Sequence, residues 1–224
     1  LYMQQARFDK AEKHLLVAAQ LDKRALADLA KLYARTQQTP KANAYAEQAI
    51  AHFQGLVDAD PDNLENRFML ADQFVVLKRF QDAINLLEEG IKLNRDPRIN
   101  KKVSQILLEA MQDIPTDEFE KRLDFFDKAI SIDPDNQEAF RFILYYLTQS
   151  NPMLQLTQDR IDRALAQTNS PTLHVLLSDF YLKEGKPELA RKHLEAVLRS
   201  EPKFLAALNN LANVYAMIKP PDYD

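Results

Sequence analysis

Ser131-Ile132-Asp133-Pro134-Asp135-Asn136 is a turn followed by a helix start, and the same mark returns along the chain. It reads Asp58-Ala59-Asp60-Pro61-Asp62-Asn63 upstream, Lys92-Leu93-Asn94-Arg95-Asp96-Pro97 between the two, and Asn169-Ser170-Pro171 and Arg199-Ser200-Glu201-Pro202 downstream. The prolines at 61, 97, 134, 171 and 202 are spaced by 36, 37, 37 and 31 residues. A mark at that period means one supersecondary unit used repeatedly.

Each interval reads as two helices. Between 62 and 97, Asp62 is placed to cap a first helix, with Glu65 completing a capping box. Phe68, Met69, Leu70, Ala71 and Phe74 follow at helical spacing, then the polar turn Lys78-Arg79. A second helix opens near Phe80 and carries Ala83, Leu87 and Ile91 on one face; Pro97 lies beyond its end. Asp135 and Glu138 repeat the capping box. No stretch alternates with period two, so no strand is predicted. Helices this short bury their apolar faces only against neighbours, so an all-α stack of antiparallel helix pairs is expected.

The pattern resembles the tetratricopeptide repeat, whose signature is a leucine and a small residue, an aromatic, an alanine, a large apolar residue and a closing proline. It reads Leu177, Ser178, Tyr181, Gly185, Ala190, Leu194 and Pro202 in one interval. Others give Leu29, Ala30, Tyr33, Ala42 and Pro61, and Leu70, Ala71, Phe74, Phe80, Ala83 and Leu87. The opening segment supplies Tyr2, Phe8, Ala11 and Leu15, and the last Leu208, Leu211, Ala212 and Tyr215. Small residues let helix backbones approach while aromatics fill the space beside them. The resemblance implies a right-handed α-solenoid, a tetratricopeptide-like superhelix over 1–224. Its units are 1–23 (partial), 24–61, 62–97, 98–134, 135–169, 170–203 and 204–224 (partial).

Departures are informative. Ala42 stands 19 residues before Pro61, so the second helix of that unit is extended. Arg122 replaces the small alanine of its unit, and Ile114-Pro115 lengthens the turn there. Tyr145, Tyr146 and Leu147 end a first helix that Asn151-Pro152 breaks, so local splaying is expected. Leu1 is read as the second half of a first helix, and Pro220-Pro221 as the end of another, with Asp222-Tyr223-Asp224 opening its partner. On that reading the protein continues past this sequence, and the incomplete end units favour self-association.

Composition narrows the function. The 46% hydrophobic content supplies a core, and the net charge of −4 lacks the basic excess of a nucleic-acid binder, so no nucleic-acid partner is expected. There is no cysteine, hence no disulfide or thiolate site, and no apolar run long enough to insert in a membrane. Either the cytoplasm or a bacterial cell envelope is compatible with this; Asn209-Asn210-Leu211-Ala212-Asn213 resembles bacterial members of the family. Three glycines exclude phosphate loops. His14, His52, His174 and His193 form no metal-ligand spacing; His52 and His193 are expected at the surface, and His174 either packs or faces a groove. Glu88-Glu89 and Asp117, Glu118 and Glu120 read as solvated or dipole-favoured acids, and the Asp58–Asp62 and Asp133–Asp135 runs lack the glycine and closing glutamate of a calcium loop. No catalytic residue, metal or cofactor is predicted.

The resemblance implies that first helices line a concave groove holding a peptide or helix of a partner protein. Helical geometry places Arg24, Lys31 and Arg35 there as a basic end, and Phe68, Asp72, Val75, Val76 and Met111 as a largely apolar middle. Arg141, Tyr145, Asp179 and Lys183 follow, then Asn209, Asn210 and Asn213, whose amides suit a peptide backbone. Lys31 and Arg35 on one unit with Asp72 on the next do not reproduce the family's clamp for chaperone carboxyl termini. The expected function is a protein-interaction scaffold; the alternative is a regulatory or substrate-positioning repeat domain of a larger multidomain enzyme or envelope complex.

Overall fold

The proline-marked intervals fold into two helices each, as the period requires. The computed structural model describes residues 2–93, 96–147 and 154–218. Among these are twelve helices and no strand: α1 (Tyr2–Leu21), α2 (Ala25–Arg35), α3 (Thr39–Ala59), α4 (Leu64–Val76), α5 (Phe80–Leu93), α6 (Pro97–Gln112), α7 (Phe119–Ile132), α8 (Gln137–Leu147), α9 (Leu154–Thr168), α10 (Pro171–Lys183), α11 (Pro187–Ser200) and α12 (Leu205–Ile218). First helices of the pairs are α2, α4, α6, α8, α10 and α12. The chain divides into two compact units, Leu1–Asp113 and Ile114–Asp224, a division that falls between the two helices of the 98–134 interval. The Asn151-Pro152 break and the segment 219–224, with its expected helix end, lie outside the described residues.

In the first unit each helix packs on the next from α1 to α6. Leu29, Ala30, Leu70, Ala71, Ala83 and Leu87 are fully buried, which is the role the repeated small and leucine positions were assigned. Tyr33 stacks on Tyr45 at 5.4 Å, meets the Phe8 ring edge-on and donates its hydroxyl to Glu12 at 2.5 Å. Burial and the neighbouring carboxylate push the Tyr33 phenol well above its usual value, and its hydrogen bond holds Glu12 below the usual carboxylate range. In the second unit Leu173, Leu177, Ser178, Ala190, Leu194 and Val197 are buried in the same way.

Several expectations are corrected. Residues 2–21 form one unbroken helix, so the opening segment is not the tail of a first helix followed by a turn. The caps sit one residue later than predicted. Asn63 accepts from the Asn66 amide at 3.1 Å, and Asn136 from Glu138 and Ala139 at 3.0 Å; the side-chain carbonyl of each asparagine, not Asp62 or Asp135, reaches the free N–H groups. Asp135 instead accepts from Ser170, which caps α10. Pro97 lies past the end of α5, as expected, and Pro97 and Pro171 also open the next helix. Leu208, Ala212 and Tyr215 of α12 face solvent. The extended helix is observed: α3 has 21 residues against 14 in α5.

Three first helices end in the same way. The carbonyls of Tyr33, Phe74 and Tyr181, the signature aromatics, accept from the amides of Gln38, Arg79 and Lys186 at 2.8–2.9 Å. The residue before each donor has positive φ: Gln37 at 58°, Lys78 at 58° and Gly185 at 69°. This is a Schellman closure, and a side chain at the left-handed position is strained. Replacing Gln37 by glycine should therefore stabilise the first unit by about 0.5–1 kcal/mol, while Gly185→Ala should destabilise the second by about 1 kcal/mol. Urea unfolding followed by circular dichroism measures both; opposite signs at the two sites are expected, and no gain at Gln37 would contradict the strain argument.

Candidate interaction face

The first helices of the first unit carry a charged contact that joins all three. Lys31 of α2 donates to Asp72 of α4 at 2.6 Å, and Lys102 of α6 pairs with the other oxygen of the same carboxylate. The geometry follows from the signature. Leu29-Ala30 and Leu70-Ala71 are buried in the core, so the residue after each small position, Lys31 or Asp72, emerges on the side common to the first helices. Two ammonium groups share one carboxylate, so the triad itself carries one net positive charge.

Phe68 and Val75 lie half-buried on α4 beside the triad. The Arg98 guanidinium sits 5.9 Å from the Phe68 ring and is held by Asp96 and by Glu65 at 3.0 Å. The Asp96 carboxylate beside it keeps Arg98 protonated, and Arg98 in turn holds Asp96 below its ordinary value. Arg24 and Arg35 are exposed at the two ends of α2 and do not join the triad. Val76 turns inward against the Leu29–Tyr33 cluster. Met111, expected in the apolar middle of the groove, is instead buried, because the face of α6 that meets α5 also carries Val103, Leu107 and Ala110. Lys102 and Arg98 were missed by sequence reasoning; their signal was only a basic run, Lys101-Lys102, on a first helix.

In the second unit the predicted residues form a looser set. Asn210 of α12 donates to Asp179 of α10 at 2.9 Å. Asp179 follows Leu177-Ser178 as Asp72 follows Leu70-Ala71, so the same repeat position carries the carboxylate in both units. Burial raises the Asp179 carboxyl, opposed by the nearby Lys183. Lys183, Asn209 and Asn213 are exposed, as are Arg141 and Tyr145 on α8.

His52 and His193 depart from the surface positions expected of them. His193 is half-buried, with Nδ1 3.0 Å from Nδ1 of His174 and its ring stacked on Tyr181 at 5.4 Å; His174 thus packs rather than facing the first-helix side. The Nε2 of His52 is buried against Phe53 without a hydrogen-bond partner among the described residues. Among the described residues there is no group of three or more ligands that could hold a metal, and no helix is long and apolar enough to cross a membrane.

Residues 44–106 match a tetratricopeptide repeat family model, and residues 176–219 match a second one. No curated protein sequence matches the chain. Similar solved structures include TTC0263, a tetratricopeptide repeat protein of Thermus thermophilus, at 17% identity, covering 83% of this chain and 98% of that one with a TM-score of 0.38. Another is pilF of Pseudomonas aeruginosa, at 15% identity, 95% and 92% coverage and a TM-score of 0.42. A third is YrrB, a tetratricopeptide repeat protein described as having an unusual peptide-binding site, at 15% identity, 87% and 96% coverage and a TM-score of 0.33. With the repeat signature in both units, matched family models in each and helices alone among the described residues, this chain belongs to the tetratricopeptide repeat family of interaction scaffolds.

Proposed function

We propose that the common face of α2, α4 and α6 binds a segment of a partner protein and selects for an acidic group within it. The observation that supports this most directly is Asp72, shared between Lys31 and Lys102 across three successive first helices. One carboxylate leaves one ammonium charge uncompensated, and Lys31 keeps 39% of its side-chain surface exposed. A carboxylate on the incoming segment completes the pairing, while half-exposed Phe68 and Val75 offer apolar contact beside it. Arg35, at the end of α2, adds to the same positive field.

Partner capture by the full chain, followed by affinity measurement with the captured protein, tests this. Lys31→Glu combined with Arg35→Glu should weaken binding at least tenfold, whereas Lys92→Glu, a charge reversal on second helix α5, should leave it within about twofold. Equal affinities for the two variants would move the site off this face.

A further inference from the structure

Within the second unit, α9, α10 and α11 line an open pocket of about 440 Å³. It exists because α9 packs on α7 and α8 and barely touches α10, whereas α11 packs closely on both α10 and α12. The Arg160 side chain anchors α9 on the α7 side through Asp124 and Asp127, away from α10. The size falls in the range of small-molecule sites, roughly 300–1,000 Å³.

The lining combines an apolar wall with a positive rim. Leu165 and Leu189 supply the accessible wall, while Ile161 and Leu177, also in the lining, are buried. Lys192 and Arg199 of α11 stand at the rim, and neither makes an ion pair or hydrogen bond among the described residues. The one acid is Asp162 of α9, which accepts from Gln158 at 3.0 Å. The His174–His193 pair, with Tyr181 stacked on it, completes the polar side. Two unpaired cations against one occupied carboxylate, over an apolar wall, complement a molecule with an apolar body and a single negative end.

We propose that this pocket binds a small organic acid, with its hydrocarbon part on Leu165 and Leu189 and its carboxylate between Arg199, Lys192 and the histidine pair. Proton stoichiometry follows from the pair's geometry. Neutral, it holds one Nδ1–H···Nδ1 bond and one Nε2–H. One added proton keeps that bond and makes both Nε2 atoms donors; a second would set two Nδ1–H groups head to head. Binding therefore takes up at most one proton. In the empty pocket burial, and then the charge of Arg199, hold His174 below its ordinary value. Burial, followed by His174 and Lys192, holds His193 down at about 4, with Asp162 acting the other way. A bound carboxylate reverses the local sign and favours the imidazolium.

Isothermal titration calorimetry of the full chain with 3-phenylpropionate tests the proposal, with 3-phenylpropanol and 3-phenylpropylamine as neutral and cationic counterparts. The acid should bind saturably with a Kd on the order of 1 mM or below, at least tenfold more tightly than either counterpart. Its affinity should rise about threefold or more from pH 8.0 to pH 6.2, with uptake of up to one proton read from buffers of different ionisation heat. Lys192→Gln with Arg199→Gln, both at exposed positions, should weaken binding at least tenfold while leaving the helical signal unchanged. Absence of saturable binding at 10 mM acid, equal binding of the alcohol, or unchanged affinity in the double variant would each overturn it.

Discussion

Arg67→Ala should lower the stability of the first unit by about 3 kcal/mol. Arg67 is 3% exposed and has no carboxylate partner among the described residues; Nη1 donates to the Leu86 carbonyl at 2.7 Å and Nη2 to the Pro61 carbonyl at 2.9 Å. It thereby ties α4 both to α5 and to the turn that precedes α4. Truncation removes two charge-assisted hydrogen bonds and leaves a cavity along the stem. Arg67→Met, which keeps most of the volume, should cost only about 1–2 kcal/mol.

The reason for a glycine inside α5 is the same side chain. A Cβ on Gly90 would stand 2.7 Å from Cδ of Arg67 and 3.2 Å from its Nε. Alanine there gains about 1 kcal/mol in helix propensity but forces the Arg67 stem aside, so Gly90→Ala alone should destabilise by roughly 1 kcal/mol. In the Arg67→Ala background the obstacle is gone and Gly90→Ala should become stabilising. Urea unfolding of the four proteins closes this cycle, and a Gly90→Ala effect of the same sign in both backgrounds would refute the contact.

Acidification should weaken the second unit through the histidine pair. His193 is held at about 4 when folded and returns to an ordinary value near 6.5 when unfolded, so the unfolded chain binds the extra proton first. Stability from the neutral pair is therefore complete above about pH 6.5 and is lost as pH falls toward 4, by about 2 kcal/mol once partial solvent screening is allowed for. Asp127 and Asp179, whose carboxyls are raised by burial, act in the opposite sense at the acidic end of that window. Comparison of the chain with its His193→Gln variant isolates the histidine. The stability difference between them should shrink by that amount from pH 7 to pH 4.5, and a constant difference would show that the pair does not resist protonation.

Much of the fold was legible because its causes are local and periodic. A turn mark every three dozen residues, a small residue beside a leucine and an aromatic three positions on fix where helices start, pack and stop. The interaction face was half legible for the same reason: Lys31, Asp72 and Asp179 each follow a buried small residue. What escaped was contact across the hairpins. Arg67 and Gly90 stand eleven residues to either side of Lys78-Arg79, so an antiparallel pair brings them together, yet neither residue type announces the other. His174 and His193 meet across a later turn of the same kind, and nothing in their spacing distinguishes a buried pair from two surface rings. The caps were misplaced because Asp62-Asn63 and Asp135-Asn136 each offer adjacent capping residues, and backbone geometry, not propensity, picks the second.

Amide chemical-shift mapping of the full chain with a captured partner protein tests the central claim most directly. Perturbations should concentrate at Lys31, Phe68, Asp72, Val75 and Lys102, on the side where three first helices share one carboxylate. Perturbations confined to second-helix positions such as Glu47, Gln54 and Glu88 would contradict it.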